Sequence, residues 1–510
     1  MDADPVNPTI PDKILLQIFD EYLFEIPVIL PPRAHDERIY LMLACSRFHK
    51  LVISTPSLWF NAYFLPVLHS RSLTHAQRWL RLTAGVLVHL TFRASYSSYD
   101  ENGVEVRSDA PLLYGHGKFS IVDDIIIPCI DRIRYLHTII STEEVIRSFL
   151  RIPAGRFANL QQIDLILINN LKEYRSSFYQ WEWETFSVFR GLKNLRKVGY
   201  HHYNGLSPLN VHFPWTQLTE VRVETVSLDP WSLLEIMHYT SSTLSRGFFA
   251  VKFTDELKGR DGKSKNVPRV RENVIARVLG ELHLFLIHPK YDTLGVLHSL
   301  RLPSVVVLWI EMIEPDGPRT KWNLDSILPL ICSISQLTIF RLLSLSEDRK
   351  RINSINAEDN VIRRGIPSQR DVEEFFTLMK PLRLLTLPIS FCVHSLILSK
   401  MITGELLPIL QHLEIASLCG IEVLLMVKER NENAVNYQLG EGPSDFLAES
   451  EGLPYAPVQI SRLTLYVPHE DLKEIKEVAT SLNQHYSCID TEFNIRGVSH
   501  KSFYTMAKIG

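Results

Sequence analysis

The chain has 510 residues, 45% of them hydrophobic and 22% charged, an ordinary globular composition with ample apolar material for a large core. A net charge of -3 excludes a chain-wide polyphosphate binder and so argues against a nucleic-acid partner. The six cysteines, at 45, 129, 332, 392, 419 and 488, form no Cys-x-x-Cys pair, which argues against a disulfide framework or structural zinc and for a reducing intracellular compartment.

The acidic start Met1-Asp2-Ala3-Asp4-Pro5 lacks the basic, apolar character of a signal peptide. No uncharged apolar run approaches the roughly 18 to 20 residues that a bilayer span requires, so no membrane association is expected. Residues 8–60 read as a small helical unit. Thr9 and Asp12 have a capping-box-like spacing, and Pro11 fits a first helical turn because its missing N–H has no partner there. Ile14, Leu15, Ile18, Phe19, Tyr22 and Leu23 then form two adjacent apolar rows, 14-18-22 and 15-19-23. One small neighbour cannot cover so wide a stripe, which predicts contact with a second protein. After a loop with Pro27, Pro31 and Pro32, a second helix is expected from about Asp36 to Ser54, stopped by Thr55-Pro56-Ser57-Leu58-Trp59. A further helix is expected over 75–82, and residues 61–131 read as a linker with helical and strand segments, leading into the larger part of the chain.

From about residue 86 short β-like runs recur, each with a Leu-x-x-Leu-x-Leu-type core. Among them are Leu160-Ile163-Leu165, Leu195-Val198-Tyr200, Leu218-Val221-Val223, Leu279-Leu282-Leu284, Val305-Leu308-Ile310, Ile334-Leu337-Ile339, Leu382-Leu385-Leu387, Leu410-Leu413-Ile415 and Ile460-Leu463-Leu465. Poorer copies lie near Ile133 and Leu244, and copies are often about 25 to 35 residues apart. Helical patterns fall between them: Asp229-Pro230 leading Leu233, Leu234 and Met237, then Leu324 to Ile331, Val372 to Met379 and Leu472 to Leu482. A strand and a helix at this period mark a leucine-rich solenoid over 132–510, because each unit has an apolar face that only a stacked neighbour can bury. Two segments, 254–271 and 429–457, break the rhythm and read as long surface loops. Tyr174 to Phe189 reads as an aromatic-rich helix between repeats.

The residues also carry a family resemblance. Ile10-Pro11-x-x-Ile14-Leu15-x-x-Ile18-Phe19 resembles the first helix of an F-box, Leu43-Ala-Cys45-Ser-Arg47-Phe48 resembles its Val-Cys-Arg-x-Trp segment, and Thr55-Pro56-Ser57-Leu58-Trp59 resembles its closing Thr-Pro-x-Leu-Trp. Trp79-Leu80, Phe149-Leu-Arg-Ile-Pro153 and Leu302-Pro303-Ser304-Val305 are similar to segments of large fungal F-box families. The stretch from Leu23 to Leu43 is longer than in a compact F-box, and Phe48 stands where Trp is usual. The resemblance implies an α/β repeat fold, with a small N-terminal helical F-box at 8–60 followed by an irregular leucine-rich-repeat solenoid. It further implies a substrate receptor of an SCF-type ubiquitin ligase, with the box on a Skp-family adaptor, through it a cullin, and the repeats on a target protein. Ile10, Pro11, Ile14, Leu15, Ile18, Leu58 and Trp59 are the expected adaptor contacts.

Motifs for chemistry fail on inspection. Gly262-Lys263-Ser264 ends like a P-loop, but Leu257 occupies the first glycine position and Pro268 breaks the required helix. His469-Glu470 lacks the second histidine of a zinc-protease helix because Lys473 stands there. His201-His202 on a strand point to opposite faces and do not share a metal. No Gly-x-Ser-x-Gly elbow occurs. The expectation is a protein without catalysis, cofactor or metal. If the repeats stack, Asp164, Gly199, Arg222, His283, Trp309, Thr338, Thr386, Glu414 and Thr464 face outward. Of these Arg222, His283 and Trp309 are the expected target surface. The competing readings are a binding scaffold whose box does not engage the ligase, and a hydrolase or transferase on a repeat scaffold.

Overall fold

Alternation of buried and half-buried side chains dominates the computed structural model: Leu282, Leu284 and Leu286 are buried while His283 and Phe285 between them are half-buried. That period of two is a strand with one covered and one open face. The structure describes residues 10–24, 26–30, 36–64, 70–94, 97–99, 105–107, 120, 122–140, 143–167, 187–202, 207–223, 228–253, 273–287, 297–314, 327–346, 369–387, 393–417, 419–439, 456–485 and 491–498. It is an α/β chain that divides into two compact units, Met1–Ser227 and Leu228–Gly510.

In the first unit, helix α1 (Asp12–Leu23) leads to strand β1 (Val28–Leu30), then helices α2 (Glu37–Ala44) and α3 (Ser46–Ser54). Strand β2 (Asn61–Phe64), helix α4 (Ser70–Leu82) and strand β3 (Val88–Ala94) follow. Next come β4 (Ile133–Ile140), α5 (Glu143–Leu150), β5 (Gln162–Leu167), β6 (Lys197–His202) and β7 (Glu220–Val223). Among the described residues these seven strands pair in parallel, each with its predecessor. A short hairpin, Ser97–Tyr99 with Glu105–Arg107, stands apart from them.

The second unit starts with helix α6 (Pro230–Tyr239). Its predicted cap is formed: Asp229 Oδ1 accepts from Trp231 N at 2.9 Å and Ser232 N at 3.0 Å. Strands β8 (Arg246–Lys252), β9 (Glu281–Ile287), β10 (Val307–Glu314) and β11 (Ile339–Ser346) follow, with helix α7 (Leu328–Cys332) before β11. Helix and strand then alternate: α8 (Gln369–Leu378), β12 (Leu384–Thr386), α9 (Ser395–Ile402), β13 (His412–Ala416), α10 (Gly420–Leu439), β14 (Arg462–Pro468), α11 (Leu472–His485) and β15 (Glu492–Val498). Among the described residues these eight strands are again parallel and ordered as in the sequence.

The strand cores expected from sequence form the covered face in both units, and eight of the nine aliphatic triplets are buried as read. A rung that sequence reading missed joins successive repeats. Asn159, Asn194 and Ser304, each just before the first apolar position of its triplet, donate to Asp131 O, Ala158 O and Arg277 O of the preceding repeat at 2.6, 2.7 and 2.6 Å.

Four expectations need correction. The strand array begins at Val28, inside the N-terminal helical region, because the long stretch between Leu23 and Leu43 supplies β1, which pairs with β2. The helix expected over 36–54 is two: Cys45 is extended (φ -162°, ψ 162°) and its thiol caps Phe48 N. The loop expected at 429–457 starts later, since α10 runs to Leu439 with Arg430 and Asn431 buried. The triplet Ile334-Leu337-Ile339 is misframed: Ile339 is half-buried, and Phe340 and Leu342 fill the covered face beside Leu308 and Ile310. The predicted helix starts with Pro11 at its N-cap, where its carbonyl accepts from Ile14 N and Leu15 N. Thr9, the 254–271 segment, residues 440–455 and most of Tyr174 to Phe189 lie outside the described residues.

Candidate functional site

Helix α1 sorts the two apolar rows between inside and outside. Leu15, Phe19 and Leu23 are buried, whereas Ile10, Ile14, Ile18 and Tyr22 are 47%, 48%, 48% and 52% exposed. Ile14, Ile18 and Tyr22 recur every fourth residue on one face of the helix, and Ile10 lies just before its cap. Two ties hold α1 along its neighbours: Tyr22 Oη donates to Glu37 Oε2 at 2.7 Å, and Arg47 Nε donates to Asp12 Oδ1 at 2.8 Å. Tyr22 is near the end of α1 and Glu37 begins α2, while Asp12 begins α1 and Arg47 lies just past the end of α2, so α1 runs against α2. Tyr40 and Leu43 of α2, 49% and 76% exposed, continue the apolar surface between these ties. Pro11 is exposed at the head of the row.

Three residues expected on this face are elsewhere. Leu15 points inward, 6% exposed. Leu58 and Trp59 are buried, and Trp59 Nε1 donates to Val52 O at 2.8 Å while its own carbonyl accepts from Trp79 Nε1 at 2.7 Å. An indole with its N–H satisfied internally is a core anchor, not a surface one. Phe48, standing where tryptophan was expected, packs edge-on against Phe19 at 5.0 Å. Arg38, which sequence reading missed, ties the region together. It is 1% exposed, donates to Leu58 O and Ile26 O at 2.7 Å each, and lies 3.6 Å from Asp36. Burial lowers its pKa, and Asp36 opposes that shift. Nothing in a helical pattern flags such an arginine, because its acceptors are backbone carbonyls distant in sequence.

The first unit also holds a cleft of about 660 Å³. Phe24, Phe60, Leu87 and Tyr135 give it an apolar lining; Arg134, Arg196 and Lys197 bring positive charge to it, and Asp20 and His89 complete one side. Burial, and then the Arg134 charge, lowers the pKa of His89, which favours the neutral imidazole. On the open face of the same unit, Thr91, His137, Asp164, Gly199 and Arg222 align across successive strands. Asp164 accepts from Tyr135 Oη at 2.6 Å and lies 3.7 Å from His137 Nδ1. Its carboxylate leans over the next strand, so a Cβ at Gly199 would stand 2.2 Å from Asp164 Oδ1. Arg222 is bound to Glu220 at 2.9 Å, and Lys197 reaches the same carboxylate at 3.6 Å.

In the second unit the equivalent row is Phe248, His283, Trp309, Arg341, Thr386, Glu414, Thr464 and Asn494. Arg341 replaces the expected Thr338, because the misframed triplet shifted the outward position by three. His283 and Trp309, read from sequence as a target surface, are ring neighbours at 5.0 Å, with Phe248 4.5 Å beyond His283. Arg341 lies over the Trp309 ring at 5.0 Å. At the far end Glu414 accepts from Thr386 at 3.1 Å and Tyr466 at 2.8 Å.

Among the described residues no three or more His, Cys, Asp or Glu side chains are grouped to hold a metal, and no helix is long and apolar enough to cross a membrane. Comparison with known protein families and with characterised protein sequences gives no match for this chain.

Proposed function

We propose that the protein is a substrate receptor of a cullin-based, SCF-type ubiquitin ligase. In this reading residues 8–60 are an F-box that docks on a Skp-family adaptor. The parallel strand arrays are an irregular leucine-rich-repeat solenoid whose open faces hold a target protein. The receptor has no chemistry of its own; it raises the local concentration of a target lysine near a ubiquitin-conjugating enzyme. One observation carries the proposal: a helix whose inward row is buried in its own core still presents Ile14, Ile18 and Tyr22 to solvent, about half exposed each, with Ile10 equally exposed just before its cap. Such a regularly spaced apolar row is the anchor pattern of helix-in-groove recognition. A parallel array with one open face supplies the complementary part, since purely parallel sheets are ordinarily covered on both sides.

The test is affinity purification of the intact chain with ligase activity blocked, beside the Ile14→Asp/Ile18→Asp double variant. The intact chain is expected to bring down adaptor and cullin. The variant loses both while its circular dichroism and thermal transition stay unchanged, because both side chains are already half in water. Unchanged association of the variant overturns the docking face, and absence of adaptor from the intact chain leaves a scaffold that does not engage the ligase.

A further inference from the structure

Neighbouring parallel strands bring Trp309 and Arg341 side by side on the open face of the second unit. The guanidinium lies over the indole, 5.0 Å from the ring centroid. Two donors there have no acceptor: Trp309 Nε1 and Arg341 Nε are both buried and neither has a hydrogen-bond partner among the described residues. No ion pair engages Arg341 among those residues either, although such a fork ordinarily finds a carboxylate or several carbonyls. Buried N–H groups without acceptors are rare, and two on neighbouring side chains, one stacked over the other, point to a missing acceptor.

The surroundings decide its charge. Arg341 occupies one face of Trp309, so an incoming cation would meet the guanidinium there. On the other side His283 is bound to Glu281, Nε2 to Oε1 at 2.8 Å. Glu311, two residues beyond Trp309 on the same face, has its pKa raised by burial, and no ion pair engages it among the described residues. It therefore does not neutralise Arg341, and it repels an anion from that end of the patch.

We propose that Trp309 and Arg341 are the anchor for an acidic side chain of the target, an aspartate or glutamate carboxylate that takes the two free N–H donors. The segment bearing it lies across β8 to β11, with its apolar neighbours on Phe248 and the His283 ring. This deepens the receptor reading above, since it assumes that the open sheet face is where a target sits. Charge-assisted bonds of this geometry are shorter and stronger than neutral ones, and a guanidinium reads a carboxylate by shape as well as charge.

The experiment uses the full chain labelled with 5-fluorotryptophan, with the Trp309 resonance assigned by its loss in Trp309→Phe. The probes are three capped glycine-rich peptides carrying a central triplet of glutamate, glutamine or phosphoserine, each titrated to about 10 mM, above the dissociation constant of a single charged anchor. The glutamate peptide is expected to shift the Trp309 resonance saturably, and the glutamine peptide to leave it in place. Arg341→Gln weakens binding roughly tenfold or more, Arg341→Lys weakens it less, and Glu311→Gln strengthens it. All three substitutions are on the open face, and an unchanged fluorine spectrum for the other tryptophans checks that the fold persists. Equal response to glutamate and glutamine, no response to glutamate, or wild-type binding by Arg341→Gln overturns the anchor. A response to phosphoserine alone overturns the carboxylate assignment. No adaptor is present in the titration, so failure here leaves adaptor docking untouched, and failure of adaptor docking leaves this result standing.

Discussion

Arg430 is a buried charge with no carboxylate paired to it among the described residues. Its Nε donates to Val458 O at 2.9 Å, and its terminal nitrogens to Met401 O, Leu407 O and Pro408 O at 2.6, 2.8 and 2.7 Å. Leu407 is in the left-handed region at φ 52°, and the bond to its carbonyl helps hold that turn. Burial pulls the arginine down to about 10, so it is still charged at neutral pH. Arg430→Ala strips the donors from four carbonyls and is expected to lower stability by about 3 kcal/mol or more in urea unfolding. Asp164 gives a pH dependence. Burial raises its pKa, but bonds from His137, Tyr135 and Gln162 outweigh that and hold it below the ordinary carboxylate value. A carboxyl depressed in the folded state contributes stability above the unfolded value, about 4, and loses it as pH falls through the lower native value. Thermal melts between about pH 5 and pH 3 should therefore fall less steeply for Asp164→Asn than for the native chain. An identical acid limb would show that the network around Asp164 does not couple to folding.

At the scale of elements, close approach fixes how helices sit on strands. Gly420 starts α10 where a Cβ would come 2.6 Å from Ile475 Cδ1 and 2.8 Å from Val467 Cγ1. Gly420→Val must push β14 and α11 away, at a cost of about 1–3 kcal/mol seen as a lower melting temperature. The carbonyl rungs of Asn159, Asn194 and Ser304 are a weaker glue. Asn194→Ala, at an exposed rung, should cost about 1 kcal/mol, and a neutral effect would remove the rung as a stabilising device. Helix α1 was half legible: periodicity gave two apolar rows, yet both rows look alike in sequence. Only the position of the Phe19–Phe48 contact and of the ties to Glu37 and Arg47 says which row is inside. The break at Cys45 escaped for a related reason, since an extended residue capped by its own thiol leaves no glycine or proline as a sign.

At the scale of the molecule, among the described residues the strands of each unit's main array follow one another in sequence order, and the stability of such an array is a sum over repeats and their nearest interfaces. Damage should then stay local. In Arg430→Ala, hydrogen exchange is expected to accelerate over α9, β13, α10 and β14 while β4 to β7 of the other unit keep their protection. Uniform acceleration across both units would instead indicate one cooperative domain.

The order of strands, the covered face of almost every repeat and the existence of an oily N-terminal helix were determined by the sequence alone, because the period of two, the period near four and the recurrence of leucine triplets are local consequences of backbone geometry. Tertiary structure decided the rest. It drew β1 out of a segment that reads as a loop, buried Leu58 and Trp59 beneath a face they were expected to form, and set Arg341 in the place of Thr338. The reason is the same in each case: which of two equivalent apolar rows, or which of two frames, goes inside is chosen by partners far along the chain, and no local pattern records them.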